Sequence, residues 1–206
     1  MCENTLNEIV VNSPVLEKYL KENYPSYKYI SSTTKCVLDK NKTKELLNSN
    51  DYNLVCLDYN LNYNLDFLKS LTQEQKDKTE FLVNAVCHAG CKMRKKHYDL
   101  NSIFSLNYGK KYSLSFCSIS DYMLYPYNKN NLNGTCNRIT YEDIKNIYRP
   151  LGFKHFKLEG RTFEAPFFIG TCVNYMVKPE FQNFIAQEIL NTFLMGVKKY
   201  KYDSYY

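Results

Sequence analysis

The chain has no tryptophan, and its 206 residues include only three histidines and seven glycines. It has no apolar run of the roughly 18 residues that a membrane-spanning helix needs. Its first residues, MCENTLNEIVV, put no positive charge ahead of an apolar segment, as an export signal would. We therefore expect a soluble, cytoplasmic protein that does not enter a membrane.

The motifs of several common enzyme classes are also absent. The sequence contains no glycine-rich dinucleotide fingerprint, no P-loop, no HExxH zinc motif and no evident Ser/His/Asp or Cys/His set. Proteolysis is consequently the least favoured activity. The net charge of +6 is modest for this length, so RNA or a small anionic substrate is permitted as a partner without being required.

The composition indicates a folded globular chain. Hydrophobic residues make up 44% of the sequence, and a chain of this size can bury roughly 70% of its unfolded surface around one core. We expect a single domain spanning residues 1–206. The eight cysteines should stay reduced in a chain with no export signal, which favours metal binding or catalysis over disulfides.

Short apolar strands alternate with amphipathic helical segments, which is the pattern of βα units around a parallel sheet. Strands are predicted at residues 8–12, 28–32, 53–58, 81–83 and 154–159. Capping signals predict three helix starts, at Ser13 with Pro14, at Asp39, and at Thr140 with Asp143. A long closing helix is predicted from Pro179, with a buried face made of Phe181, Phe184, Ile185, Ile189, Phe193 and Val197.

The alternation is interrupted by residues 99–138, which hold a possible hairpin and the turn-rich loop NKNNLNGTCN. We predict an α/β fold in which about five βα units form a partial TIM-barrel-like parallel sheet, with this irregular insertion before the last strand. A complete eightfold barrel typically needs about 250 residues. An open, doubly wound parallel sheet is the alternative.

The segment FLVNAVCHAGCKMRKKHY (81–98) concentrates reactive side chains directly after an apolar strand. Sites in α/β proteins lie at the carboxyl ends of the strands, so we expect residues 87–98 to emerge there as a loop. Its basic residues, Lys92, Arg94, Lys95 and Lys96, stand beside His97 and favour binding of a carboxylate or phosphate. The alternative for this charge run is a solvated loop.

The end of the last predicted strand adds further charged candidates. Alternation along a strand places Lys157 and Glu159 on one face, and Arg161 offers the planar fork that matches a carboxylate. If that face lines the barrel interior, the two charges need each other or a ligand. The candidate substrate-binding residues are Asn84, Arg94, His97, Lys157, Glu159 and Arg161, and a purely structural ion pair is the alternative for Lys157 and Glu159.

Two segments carry a family resemblance. FKLEGRTF (156–163) resembles the lysine, hydrophobic, Glu-Gly-Arg signature near the last barrel strand of the collagenase-like peptidase family, peptidase family U-32. VNAVC (83–87), followed by a second cysteine, resembles that family's strand-end motif, although Asn84 stands where the family usually has histidine. The resemblance covers roughly residues 8–170 and implies a barrel without its first three strands.

Several members of that family resemble oxygen-independent hydroxylases or hydroxylation factors that act on transfer RNA, ribosomal RNA or a quinone precursor. They hold a 4Fe-4S cluster on four cysteines, and prephenate is implied as the oxygen donor for some. The resemblance therefore implies an iron–sulfur protein of oxygen-independent hydroxylation or RNA modification. Its ligands here would be Cys87, Cys91, Cys117 and Cys136, with Cys172 in reserve for the fourth position. The three residues between the first two cysteines are fewer than the family's usual six.

Other interpretations of these residues stay open. Zinc could take Cys87, Cys91 and His97 with one further ligand, or the cysteines could be small buried hydrophobes, as we expect of Cys36 and Cys56. The alternative function is a non-catalytic subunit or truncated remnant. An incomplete sheet exposes two edges, which a second copy, another chain or the insertion must cover.

Overall fold

The structure is a computed structural model that describes residues 7–85, 87, 89–106, 137–160 and 165–203. The chain divides into two compact units, residues 1–157 and residues 158–206. The first unit contains the sheet, and the described part of the second unit is mainly helical. The expectation of one domain over the whole chain stays a prediction.

The first unit is built on five parallel strands in sequential order. They are β1 (Glu8–Val11), β2 (Lys28–Ser31), β3 (Leu54–Cys56), β4 (Thr79–Leu82) and β5 (His155–Lys157), and each pairs with the next one along the chain. The predicted α/β fold with a parallel sheet of about five βα units is confirmed. A doubly wound sheet reverses its strand order at a switch point, and the described strands show no reversal, which is the order of a partial barrel.

The helices of the first unit begin where the local sequence supplies a cap. They are α1 (Pro14–Asn23), α2 (Lys40–Asn48), α3 (Leu65–Lys69), α4 (Gln73–Asp77), α5 (Arg94–Leu106) and α6 (Tyr141–Asp143), which continues as a π-helical turn over Ile144–Tyr148. The side chains of Ser13 and Asp39 accept backbone N–H groups of α1 and α2. Thr140 and Asp143 form a capping box, so all three predicted helix starts are confirmed.

One face of the sheet packs on an aromatic cluster around Phe81, which is fully buried in β4. The rings of Tyr148 and Phe153 each lie 4.9 Å from the Phe81 ring in edge-on geometry, and Phe156 of β5 stacks at 6.0 Å. The Tyr148 hydroxyl donates to the backbone oxygen of Asn62 at 2.7 Å. This cluster ties β4 and β5 to the turn after α6 and holds the last strand in register.

The structure corrects the predicted loop and the start of the insertion. Residues 94–106 form helix α5, whereas the sequence predicted a loop up to Tyr98 and irregular structure from residue 99. The helix could not be predicted from the local sequence. Its first turn is rich in charged residues, and Arg94 anchors it through contacts with residues far away in the chain. Residues 107–136, which include the possible hairpin, Cys117 and Cys136, lie outside the described residues.

The second unit contains α7 (Ala165–Met176) and α8 (Pro179–Asp203). The long helix predicted from Pro179 is confirmed, and α7 was not predicted. The predicted buried face of α8 is wrong in part, because Phe181, Phe184 and Phe193 are at least half exposed. Across the residues that the structure describes, no helix is both long and apolar enough to cross a membrane.

Candidate functional site

Polar and sulfur-containing side chains gather at the carboxyl ends of β2, β3 and β4. Asp58 and Tyr59 follow β3, Cys87 follows β4, and Cys36 comes shortly after β2, while Arg94 reaches this group from the first turn of α5. We call these five residues the strand-end site. The carboxyl edge of a parallel sheet is where α/β proteins bind their ligands.

A buried ion pair forms the centre of the strand-end site. The Arg94 Nη1 donates to Asp58 Oδ1 at 2.8 Å, and Nη2 donates to Oδ2. The two side chains are 4% and 0% exposed. Asp58 also accepts the backbone N–H and the side-chain amide of Asn60, each at 2.9 Å. The carboxylate is therefore saturated with charge-assisted hydrogen bonds, which are stronger than neutral ones.

Two more N–H groups of Arg94 are also used within the protein. Its Nε donates to the Sγ of Cys36 at 3.2 Å, Nη2 donates to the backbone oxygen of Thr33 at 3.0 Å, and the guanidinium carbon lies 4.1 Å from the centre of the Tyr59 ring. Burial by itself would lower the pKa of Arg94, but the Asp58 carboxylate raises it on balance, so the guanidinium stays charged. Arg94 thus clamps α5 onto the ends of β2 and β3.

Of the four predicted cluster ligands, the structure describes Cys87 and Cys91. Both are half-buried, and neither forms a disulfide. Cys87 packs against a buried group that includes Tyr59 and Leu82, and its backbone oxygen accepts the side-chain amide of Asn137 at 3.3 Å. The backbone oxygen of Cys91 accepts the N–H of Arg94 at 3.4 Å. Arg94 therefore holds the backbone at Cys91, and Asn137 holds the backbone at Cys87.

The predicted ligand set can be tested only in part, because Cys117 and Cys136 lie outside the described residues. Among the residues that are described, no three His, Cys, Asp or Glu side chains are close enough together to hold a metal ion. The trio proposed for zinc, Cys87, Cys91 and His97, is thus not assembled. A metal centre at this end of the sheet would need at least one ligand from outside the described residues, such as His88, Cys117 or Cys136.

The two cysteines expected in the core behave differently from each other. Cys56 is buried, and burial, reinforced by the nearby Glu80 carboxylate, raises the pKa of its thiol to about 12. It is therefore neutral and structural at physiological pH, as predicted. Cys36 is half-buried, has a left-handed backbone with φ of 55°, and contacts the Arg94 guanidinium.

The structure describes five of the six predicted substrate-binding residues. Asn84 and His97 are buried, Arg94 is paired with Asp58, and Lys157 lies on β5. Glu159 is half-buried in the second unit, and Arg161 is outside the described residues.

Lys157 has a partner that the sequence did not reveal. Its Nζ lies 3.3 Å from the Glu80 carboxylate of β4, with the side chains 32% and 12% exposed. The register pairs Leu82 with Lys157 and Cys56 with Glu80, which puts these side chains on one face of the sheet. A glutamate inside the apolar strand TEFL was the available signal, since strands of parallel sheets are usually apolar throughout.

Comparisons with protein-family models, with curated proteins and with solved structures give no match to this chain. The resemblance to the U-32 family therefore stays a prediction.

Proposed function

We propose that this protein holds a 4Fe-4S cluster beside the strand-end site and takes part in oxygen-independent hydroxylation or RNA modification. One observation carries the proposal. Two half-buried cysteines, Cys87 and Cys91, follow β4 at the carboxyl edge of a barrel-type sheet, and the buried ion pair of Arg94 and Asp58 lies at the same edge. Cysteine thiolates gathered from loops are the usual ligands of such clusters.

Cys87 and Cys91 would supply two ligands, and Cys117 and Cys136 would complete the set. The cluster would supply one-electron chemistry. Three exposed lysines, Lys92, Lys95 and Lys96, surround the thiol-bearing segment on the protein surface. Their positive charge would offset the negative charge of a thiolate-bound cluster and attract an anionic partner such as RNA.

Replacing Cys87 or Cys91 with serine is expected to abolish the brown colour of anaerobically purified protein, because each change removes a cluster thiolate. The measurement is the visible absorption spectrum after anaerobic purification. Cys56→Ser is the matched control, since this buried thiol is neutral. It should keep the colour and lose only stability. Equal loss of colour in all three variants would point to misfolding and would remove the support for ligation.

Lys157 is proposed to bind an anionic ligand such as prephenate. Its ammonium group contacts the Glu80 carboxylate but is also partly exposed, so a ligand can approach it from the solvent. Lys157→Met should weaken prephenate binding at least tenfold, or about 1.4 kcal/mol, measured by isothermal titration. The control is Lys154→Met, which removes an exposed lysine paired with Asp77. Equal affinities in the two variants would contradict a role of Lys157 in binding.

A non-catalytic subunit is the second candidate, and the β1 side of the sheet favours it. Val10 of this edge strand is 49% exposed, and Val15, Leu16 and Tyr19 of α1 are 82%, 54% and 54% exposed. Among the described strands β1 pairs only with β2, and apolar side chains beside an unpaired strand edge favour strand addition by another polypeptide. This alternative predicts that wild-type protein folds cooperatively and contains no iron, which would set aside the cluster proposal.

A further inference from the structure

Tyr59 is buried in the strand-end site with a hydroxyl group that is left unsatisfied. The residue is 1% exposed, and its hydroxyl has no hydrogen-bond partner among the residues that the structure describes. Buried polar groups nearly always have a partner, because a buried donor without an acceptor is unfavourable. The hydroxyl therefore indicates an acceptor that the described residues do not supply.

The hydroxyl of Tyr59 lies close to the side chain of Cys87. Tyr59 belongs to the buried hydrophobic group against which Cys87 packs. Burial raises the pKa of Tyr59, and the neighbouring side chains of Cys87 and Tyr98 raise it further. The hydroxyl therefore keeps its proton at physiological pH and can donate it in a hydrogen bond.

Contacts with the ring hold Tyr59 in this position. The guanidinium carbon of Arg94 lies 4.1 Å from the centre of the Tyr59 ring and 5.8 Å from the centre of the Tyr98 ring. The guanidinium is itself held by the buried Asp58 carboxylate. A cation over the face of an aromatic ring is attracted to it, so the Tyr59 hydroxyl is fixed in place before any ligand arrives.

The chemical state of the Cys87 sulfur decides whether this hydroxyl finds a good acceptor. The sulfur of a protonated thiol accepts hydrogen bonds only weakly. A thiolate that is bound to iron carries negative charge, and hydrogen bonds to charged acceptors are stronger. Hydrogen bonds to the sulfurs are among the factors that set the reduction potential of an iron–sulfur cluster.

We propose that the Tyr59 hydroxyl donates a hydrogen bond to the cluster-bound sulfur of Cys87 and so raises the reduction potential of the cluster. Reduction adds negative charge to the cluster and its ligands, which strengthens this hydrogen bond and favours the reduced form. The hydroxyl keeps its proton throughout, so one electron is added and no proton moves at Tyr59. The inference rests on the proposed function and assigns a role to a residue that is not a ligand.

The test is the reduction potential of the full-length protein, purified without oxygen and titrated with dithionite while its visible spectrum is recorded. Tyr59→Phe should favour the oxidised cluster about tenfold, which lowers the potential by about 59 mV, because the reduced cluster loses its hydrogen bond. Resonance Raman spectra give a second measurement. The iron–sulfur stretching bands of the wild-type protein should shift in deuterium oxide, and those of Tyr59→Phe should shift less.

The control is Tyr148→Phe, which removes the hydroxyl of another fully buried tyrosine. That hydroxyl already donates to the backbone oxygen of Asn62 at 2.7 Å. Tyr148→Phe should leave the reduction potential unchanged and lower the stability of the cluster-free protein, because a hydrogen bond is lost. Tyr59→Phe should leave the stability of the cluster-free protein unchanged or raise it, since it removes an unsatisfied donor.

Each outcome separates this inference from the proposed function. Iron-containing protein with the same potential in wild type and Tyr59→Phe would overturn the role of Tyr59 and leave the cluster standing. An equal fall in potential in Tyr148→Phe, or a folded Tyr59→Phe protein that takes up no iron, would overturn it as well. The same holds if cluster-free Tyr59→Phe is destabilised as much as Tyr148→Phe. Wild-type protein without iron would overturn the proposed function, and this inference with it.

Discussion

Asp58→Asn is expected to lower the free energy of unfolding by about 3–5 kcal/mol, because it leaves the Arg94 guanidinium buried without a counter-charge. The two side chains are 0% and 4% exposed, so water cannot replace the lost carboxylate. Arg94 also joins Thr33 and Cys36 to α5, which spreads the effect over three elements. The measurement is urea unfolding followed by circular dichroism.

The control is the ion pair of Asp77 and Lys154, which also joins an aspartate to a cation, at 2.7 Å, but lies on the surface. Asp77→Asn should leave stability nearly unchanged, since exposed pairs contribute little. Replacing Asp58 and Arg94 together with apolar residues should recover much of the loss, because the unpaired charge is gone. If Asp58→Asn costs no more than the surface control, the guanidinium is not buried as described.

Glu17→Gln is expected to cost about 2–3 kcal/mol at neutral pH, since it removes the charged acceptor of a buried cluster. The Glu17 carboxylate accepts hydrogen bonds from Lys21 at 2.8 Å, from Lys35 at 2.6 Å and from the Tyr52 hydroxyl. These contacts tie α1 to the segments around β2 and β3. Thermal or urea unfolding of the two proteins measures the difference, and Glu22→Gln, an exposed change on the same helix, controls for the lost charge.

The contribution of Glu17 should depend on pH in a defined direction. Burial alone would raise the pKa of Glu17, but the hydrogen bonds from Lys21, Lys35 and Tyr52 outweigh it and lower the pKa from 4.5 to about 2. A depressed carboxyl pKa stabilises the fold above the unfolded value and loses that effect as the pH falls through the folded value. The difference between wild type and Glu17→Gln should hold above pH 4.5 and shrink towards pH 2. A stability difference between the two proteins that stays constant from pH 4.5 to pH 2 would contradict the lowered pKa of Glu17.

Local signals predicted most of the fold. The cap residues Ser13, Asp39 and Thr140 act on N–H groups within three positions of themselves, so their roles can be read from neighbouring residues. The parallel sheet followed from the alternation of short apolar strands with helices. Helix α5 could not be predicted in this way, because Arg94 is anchored by Asp58, which lies 36 positions earlier.

The site residues, too, could be predicted only where neighbouring residues determine their position. The position of Cys87 after a strand was predicted, and it is where the structure places the thiol. The partner of Lys157 was not predicted, because Glu80 is 77 positions away and the strand β5 ends before Glu159. In α8 the apolar periodicity was recognised, yet the burial of Phe181 and Phe184 depends on a surface outside the helix itself.

The proposed thiolate-ligated iron–sulfur cluster is tested most directly by the iron and acid-labile sulfide content of the protein purified without oxygen. About four of each per chain are expected, with the content lost in Cys87→Ser and Cys91→Ser and retained in Cys56→Ser. Anaerobic protein that is folded and contains zinc, or no metal, would contradict it.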